Sequence, residues 1–291
     1  MELVAQQSNG VVRPVVSLVC GVLAVVLMPL SLVAVWASLM LTRTTVFVDE
    51  LSPVVRQPQV QEALVDGIVT NVLGAVQLQP AVEQVLEGPL RQVATTVVAD
   101  PRVATAWTVA LRNTHRQFVG VLEGRADTGL DSQGRVTMLV PIELPELEQT
   151  LSRVGVTDPA ALRPTVEIPL VAASDLGTAK RVYAVAHAWG VWAPVLVVAL
   201  ALLAVALAAR RRPTLGWIAF GWLLGGVTLA AGLMLGRSPT IDLVPDPVVR
   251  TLADAAYGLS ATWLYTAAAV AVGVSVVLLL GVALSGRSRR R

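Results

Sequence analysis

The stretch "PVVSLVCGVLAVVLMPLSLVAVWASLMLT", residues 14–42, contains no Asp, Glu, Lys or Arg. A helix needs about 20 apolar residues to cross the hydrocarbon core of a bilayer, because each residue advances it by about 1.5 Å. Only helices and closed barrels satisfy their backbone groups in lipid, and so uniform an apolar run is typical of a helix. The stretch therefore predicts a membrane span, which we interpret as an uncleaved signal anchor.

Three similar runs lie in the second half of the chain, at residues 182–209, 213–236 and 255–286. The 291-residue chain is 55% hydrophobic with a mean hydropathy of +0.68, which is too apolar for a water-soluble domain. We predict an all-α membrane protein with four transmembrane helices, at residues 14–42, 182–209, 214–236 and 259–285.

Arginine placement predicts the orientation of these spans. Arg13 precedes the first span, Arg210–Arg212 separates the second from the third, and four arginines follow residue 286. Basic residues concentrate on the cytoplasmic side, so both termini and residues 210–213 are expected there, in the plasma membrane. The cytoplasmic pieces are then residues 1–13, 210–213 and 286–291, and the extracytoplasmic pieces are residues 43–181 and 237–258.

The net charge of +2 follows from this distribution, because the cytoplasmic pieces carry eight arginines against Glu2, whereas acidic residues outnumber basic ones in the outer segments. The basic balance therefore predicts membrane lipids with anionic headgroups as a partner, and no nucleic acid. The single cysteine, Cys20, lies in the first span, so residues 43–181 contain no disulfide and no thiolate metal site.

The extracytoplasmic segment has the size of one domain and opens with helical patterns. Apolar residues at steps of four predict a first helix with the stripe Val60, Leu64, Ile68 and Val72. Pro80 is expected to begin a second helix, with its apolar residues Val82, Val85 and Leu86 inward. "EGPL" at 87–90 should break or kink that helix. Asp100 is expected to cap a third helix that starts at Pro101.

Two later segments alternate as half-buried strands do. Apolar residues occupy every second position, and so share one face, in "RVTMLVPIEL", residues 135–144, and in "TVEIPLV", residues 165–171. Both contain a proline, which confines them to edges, so we predict a mostly helical α+β domain with a small two-stranded sheet. A last helix, capped by Ser174, should then run straight into the second span, with His187 at the membrane interface among aromatic rings.

His115 is the most reactive residue type in the third helix and lies between Arg112 and Arg116. Helical spacing from Leu111 and Phe118 predicts a position at the polar margin of the apolar stripe. A catalytic histidine needs an acid and a nucleophile, and the sequence contains neither G-x-S-x-G nor H-E-x-x-H. We interpret His115 as structural, hydrogen-bonded to backbone or a carboxylate. Contact of His115, Arg112 and Arg116 with a ligand is the alternative.

Other carboxylates form no recognisable site. Asp127 and Asp131 lack the spacing of a calcium loop. The acidic residues expected near the outer leaflet could meet as a cluster, although solvated loop surface is the simpler interpretation; they are Asp49, Glu50, Asp242 and Asp246. The sequence therefore predicts no catalytic, cofactor-binding or metal-binding residue.

The third span carries glycines at offsets that share one helical face, a pattern that lets another helix approach closely; they are Gly221, Gly225, Gly232 and Gly236. Small residues of the fourth span, Ala267, Ala271 and Gly281, are the expected partners. Packing within one chain is one interpretation, and a seam in a homo-oligomer is the other. The spans hold no charged residue, which argues against a proton or ion pathway.

The layout resembles a group of integral membrane proteins of actinobacteria, with one N-terminal span, an extracytoplasmic α-rich domain and three C-terminal spans. Three segments carry the resemblance: "RTTVFVDELSPVVRQPQVQEALVDGIV" at 43–69, "NTHRQFVGVLEG" at 113–124 and "GRVTMLVPIEL" at 134–144. The ratio of 21 Arg to one Lys fits a GC-rich genome. The resemblance implies an architecture and a host, and it implies no activity.

Three functions are then open. The first is a non-enzymatic cell-envelope protein whose extracytoplasmic domain binds a partner protein or an envelope component. The second is a transport or lipid-handling protein, or an accessory subunit of one. The third is a membrane-embedded enzyme built on the outer carboxylates. The missing catalytic pattern and the uncharged spans favour the first function.

Overall fold

The computed structural model describes residues 2–76, 80–124, 136–141, 165–171 and 176–287. The first part of the chain forms α1 (Glu2–Thr42), α2 (Thr44–Leu51), a 3-10 helix (Ser52–Arg56), α3 (Pro58–Val76), α4 (Pro80–Val98) and α5 (Pro101–Leu122). Two strands follow, β1 (Val136–Pro141) and β2 (Thr165–Val171). The last part forms α6 (Leu176–Trp189), α7 (Ala193–Leu207), α8 (Arg211–Ile241) and α9 (Pro247–Arg287).

Three helical segments are long and apolar enough to cross a membrane: Val12–Thr42, Arg211–Pro239 and Pro247–Ser285. A bent pair, Gly177–Trp189 and Ala193–Leu207, makes a fourth if it counts as one span. The chain is therefore a helical, multi-pass membrane protein with three or four candidate spans.

The second span is not continuous, which corrects the prediction of one helix through residues 182–209. α6 ends at Trp189, α7 begins at Ala193, and the two are bent by 55°. Pro194 explains the break, because it has no amide hydrogen and its ring would meet the carbonyl of Gly190 in a continuous helix. The predicted cap Ser174 lies outside the described residues.

The predicted loop at 237–258 is mostly helical, which is a second correction. α8 continues to Ile241 and α9 already begins at Pro247. The Asp246 carboxylate accepts the amide hydrogens of Val248 and Val249 at 2.8 and 2.9 Å, as an N-cap residue does. Proline at the next position suits the first helical turn, so Asp246 and Pro247 repeat the signal of Asp100 and Pro101.

The chain divides into two compact units. The span unit comprises Met1–Thr42, Tyr183–Pro239 and Ser260–Arg291. The interspan unit comprises Arg43–Val182 and Thr240–Leu259. The first turns of α9 therefore belong to the interspan unit, although the sequence pattern assigns residues 255–286 to one apolar run.

Small residues form the centre of the span unit, where α1 packs against α7 and α8. The buried cluster consists of Cys20, Ala24, Ala201, Ala204 and Ile218. Two polar side chains bond across helices: the Ser17 hydroxyl donates to the Ala204 carbonyl at 2.7 Å, and the Trp222 indole donates to the Ala24 carbonyl at 3.0 Å. Each bond satisfies a polar group that lipid cannot satisfy.

The interspan unit has a core of larger apolar side chains. Val54 and Val60 are buried together with Leu252 and Ala255 of α9. α3 and α4 form a hairpin whose buried residues are Val65, Val69, Ala94 and Val98. Asp66 and Arg91 link the two helices by an ion pair of 2.7 Å.

The apolar stripe of α3 is confirmed at Val60 and drifts along the helix. Leu64 and Ile68 are partly buried, whereas Val72 is 42% exposed and the fully buried positions shift to Val65 and Val69. Four residues turn a helix by about 400°, so each step of four rotates the stripe by about 40°. The prediction therefore fails at Val72, the fourth residue of the stripe.

α4 begins at Pro80 as predicted, but its inward face is not the predicted one. Val85 is 73% exposed and Leu86 is also exposed, whereas Ala94 and Val98 are buried; the Val82 side chain lies outside the described ones. Pro89 lies within the continuous helix, so the break that was one of the two predictions for residues 87–90 does not occur, and the kink stays a prediction. Contact with α3, and not the local density of apolar residues, decides which face is buried.

β1 and β2 pair antiparallel, with Met138 opposite Ile168 and Val140 opposite Val166. These are the two segments whose alternation predicted strands. β1 also lies beside α5.

Candidate functional site

A cleft of about 260 Å³ opens on the interspan unit where the 3-10 helix, α3 and the start of α5 meet. Its lining residues are Val55, Arg56, Gln61, Val98, Ala99, Asp100, Pro101 and Ala104. Val55 and Val98 are buried and supply an apolar wall, whereas Arg56 is exposed at the edge. The cleft thus combines an apolar interior with polar groups at its rim, as small-ligand sites do.

The geometry of the cleft depends on how α5 begins. Asp100 has extended backbone and its side chain accepts the amide hydrogen of Arg102 at 2.8 Å, so the predicted cap is confirmed. Pro101 then takes the first helical position. The Arg102 guanidinium also donates to both oxygens of Asp100, at 2.9 to 3.2 Å.

These bonds hold the pKa of the Asp100 carboxyl below its usual value. The side-chain hydrogen bond from Arg102 contributes most, followed by the backbone hydrogen bond from the same residue. Asp100 is therefore ionised and compensated by Arg102.

Arg56 and Gln61 differ from this pair. Neither side chain has a hydrogen-bond or ion-pair partner among the residues that the structure describes. The rim of the cleft therefore offers one uncompensated guanidinium and one carboxamide.

His115 is buried, with 3% of its surface exposed, and does not lie at the polar margin as predicted. Its Nδ1 is 3.0 Å from the Thr44 hydroxyl, and its ring centroid is 4.4 Å from that of Phe47. Both partners belong to α2, which covers this side of α5. The burial therefore depends on a contact between residues about 70 positions apart, which helical spacing alone does not reveal.

Arg112 and Arg116 are exposed, whereas His115 points into the core. The structure therefore does not bring the three side chains of the predicted ligand contact onto one surface. His115 Nδ1 lies within hydrogen-bond distance of the Thr44 hydroxyl, a partner that the sequence analysis does not name. This arrangement fits a structural histidine that fastens α2 to α5.

The outer carboxylates have separate environments. Asp49 and Asp242 are exposed, and Asp246 caps α9. Glu50 is partly buried, and this desolvation raises the pKa of its carboxyl. Among the described residues no three His, Cys, Asp or Glu side chains are grouped as metal ligands would be. Asp127 and Asp131 lie outside the described range.

The glycine face of α8 divides into two halves. A Cβ at Gly221 would lie 2.6 Å from Val25, and one at Gly225 would lie 3.2 Å from Met28, so this half faces α1. Gly232 and Gly236 have open space within 4 Å. The expected partner was the fourth span, and the contact with α1 is a difference that the glycine pattern alone could not decide.

Three further glycines allow close approaches that no sequence motif indicates. A Cβ at Gly21 would lie 2.5 Å from the Trp217 ring, and one at Gly226 would lie 2.8 Å from Val272 of α9. Gly190, at the break between α6 and α7, packs directly against Ser38. None of these three glycines has another glycine four residues away, so none of them belongs to a G-x-x-x-G pair.

His187 is exposed and its ring stacks on Tyr183 at a centroid distance of 5.9 Å. Trp189 and Trp192 are exposed beside it. Rings of this kind settle at membrane interfaces, so the predicted anchoring role remains a prediction that fits this exposure.

Comparison of the chain with protein families, with curated proteins and with solved structures found no match. The resemblance to actinobacterial membrane proteins therefore stays a prediction.

Proposed function

We propose that this protein is a non-enzymatic component of the actinobacterial cell envelope, anchored in the plasma membrane, whose interspan unit binds a partner protein or an envelope component. The cleft beside Arg56 carries this proposal, because it joins an apolar wall to polar groups that have no partner among the described residues. Buried polar groups without partners cost free energy, and exposed ones at a cleft are available to a ligand.

The proposal places the interspan unit outside the cell and both termini inside. The arginine groups support it, and the Arg212 guanidinium donates to the Ser285 carbonyl at 3.0 Å. This bond brings the first turn of α8 beside the last turn of α9. Under the positive-inside rule, an end of the spans that carries arginines is expected on the cytoplasmic side.

Cysteine labelling tests this orientation. In a chain with Cys20 replaced by Ser, we expect cysteine at Gln84 to react with an impermeant maleimide in intact cells. Cysteine at Ala209 should react only after permeabilisation. Both positions are exposed, so a difference reports the side of the membrane. Labelling in the reverse pattern would falsify the orientation.

Purification from native membranes in mild detergent tests the function. We expect a protein partner in a fixed ratio to the chain, identified by mass spectrometry and lost when the interspan unit is altered. Arg112→Gln serves as the matched control, because Arg112 is exposed and lies outside the cleft.

Transport or lipid handling is the second candidate. The exposed apolar side chains of α4, at Val85, Leu86 and Val93, favour it because they could cover an acyl chain. Retention of a lipid in a fixed ratio, without a protein partner, would support this function over the first.

A further inference from the structure

The size of the cleft limits what can enter it. Its volume of about 260 Å³ is below the range of about 300–1,000 Å³ typical of sites for whole small molecules. A single small side chain with its backbone fits such a space, whereas a lipid with two acyl chains does not. Val55, Val98 and Ala104 would contact an apolar group there.

The charge at the rim selects the polar part of the ligand. Asp100 is bonded to Arg102, so these two side chains cancel, and Arg56 leaves one positive charge. A guanidinium presents two parallel N–H groups to a carboxylate, which makes this pairing stronger than a single neutral hydrogen bond. The Gln61 carboxamide can donate a further N–H at the same rim.

We propose that the cleft binds a carboxylate carried beside a small apolar side chain, as at the C-terminal end of a peptide chain. Arg56 takes the carboxylate, Gln61 donates to it, and the apolar side chain lies against Val55 and Val98. Capture of a chain terminus is a known mode of peptide recognition. The inference rests on the proposed binding function and names the chemistry of its ligand.

Binding of two matched peptides to the full chain in zwitterionic nanodiscs tests the inference. The probe is a fluorescently labelled Gly-Ser-Gly-Ala-Val with a free C-terminal carboxylate, and its control is the same peptide as an amide. We expect the acid to bind at least about tenfold more tightly, because the Arg56 guanidinium can donate two hydrogen bonds to a carboxylate and meets no charge in the amide. Equal binding of acid and amide, or binding of neither, overturns the inference.

Variants locate the site. Arg56→Gln should remove the preference for the acid, whereas Arg112→Gln, on the same unit and outside the cleft, should keep it. Arg102→Gln should weaken binding of the acid peptide, because the uncompensated Asp100 carboxylate would then repel the carboxylate of the peptide. Ala104→Leu should weaken binding of the acid peptide and of the amide peptide alike, because the larger side chain fills the cleft. A preference for the acid that survives Arg56→Gln contradicts the inference.

The outcome is separable from that of the proposed function. If a protein partner co-purifies and Arg56→Gln leaves both its retention and the peptide preference unchanged, the function stands and this inference falls. If the acid peptide binds through Arg56 and no protein co-purifies, the cleft chemistry stands and the proposed partner falls.

Discussion

The span unit and the interspan unit use opposite residues for packing. In the span unit, Ala24, Ala204 and Gly221 lie at helix contacts, while large side chains such as Leu235 face outward. In the interspan unit, Val60 and Leu252 lie inside. In a bilayer, moving a large apolar side chain from lipid into a helix contact gains no hydrophobic free energy. Close backbone approach and dispersion therefore decide the helix contacts of the span unit. In water, burial of a large apolar side chain contributes hydrophobic free energy to folding.

The comparison predicts that losing a large side chain harms the interspan unit most. Leu252→Ala should destabilise the chain by about 2–5 kcal/mol, because it leaves a cavity beside Val54 and Val60. The measurement is chemical denaturation in detergent, monitored by the protection of residues 43–182 from a protease. Leu243→Ala is the control: Leu252 is 9% exposed and Leu243 is 82% exposed, and both belong to residues 240–259. Equal effects would contradict the assignment of α9's first turns to this core.

Replacing a small residue by a large one should destabilise the span unit. Gly221→Leu places a side chain where Val25 lies and should cost about 1–3 kcal/mol through overpacking. The thermal midpoint in detergent measures this loss. Gly232→Leu has open space and should leave the midpoint unchanged if that half of α8 faces lipid. A change of oligomer size in Gly232→Leu would instead mark a seam between copies of the chain.

A polar contact inside the interspan unit should matter less than either core change. His115→Gln weakens or removes the hydrogen bond to the Thr44 hydroxyl and removes the ring contact with Phe47. The free energy of unfolding should fall by about 1 kcal/mol. A double-mutant cycle with Thr44→Val isolates the pair. The variant should still insert and complement a deletion strain. Normal folding with failed complementation would place His115 in a working site.

The pH dependence of Asp100 has a defined sign. Its pKa is lowered by Arg102 in the folded chain, so its ionised form stabilises the fold at pH values above its ordinary pKa. That contribution is lost as pH falls through the lowered pKa. Asp100→Asn keeps a capping oxygen and loses the charge. Its unfolding midpoint should therefore vary less than that of the parent as the pH falls below the ordinary pKa of an aspartate. An unchanged pH profile would contradict the Arg102 contact.

Glu50 should show the smallest effect and the opposite sign. Partial burial raises its pKa in the folded chain, so its contribution to stability is present at pH values below its ordinary pKa. It is lost as pH rises through the raised pKa. Glu50→Gln should remove this decline, whereas Asp49→Asn, at an exposed neighbour, should not. Identical pH profiles for the parent and Glu50→Gln would contradict the burial.

The sequence predicted what depends on neighbours along the chain. Apolar length predicted the spans, and Asp100 and Pro101 predicted the start of α5. The same cap signal stands at Asp246 and Pro247, but the long apolar run predicts a later start for the last helix. A local signal can thus be hidden by a stronger one.

What the sequence could not predict depends on partners distant in the chain. The burial of His115 requires Thr44 and Phe47, and the glycines of α8 required knowledge that α1 is their neighbour. The cleft is similar: Val55 and Val98 are more than 40 positions apart, and only their packing brings them together. Spacing along one helix specifies a face, and it does not specify what covers that face.

The two hydrogen bonds that join α1 to α7 and α8 also have a consequence for biosynthesis. Ser17 and Ala204 are 187 positions apart, and Trp222 and Ala24 are 198 positions apart. At a translation rate of about 5–20 residues per second, α1 leaves the ribosome about 10–40 s before its partners. During that interval the Ser17 hydroxyl and the small surface around Ala24 have only lipid or the insertion machinery as neighbours. We expect α1 to be held beside the translocon until α7 and α8 arrive, which crosslinking of arrested nascent chains from residue 17 would detect.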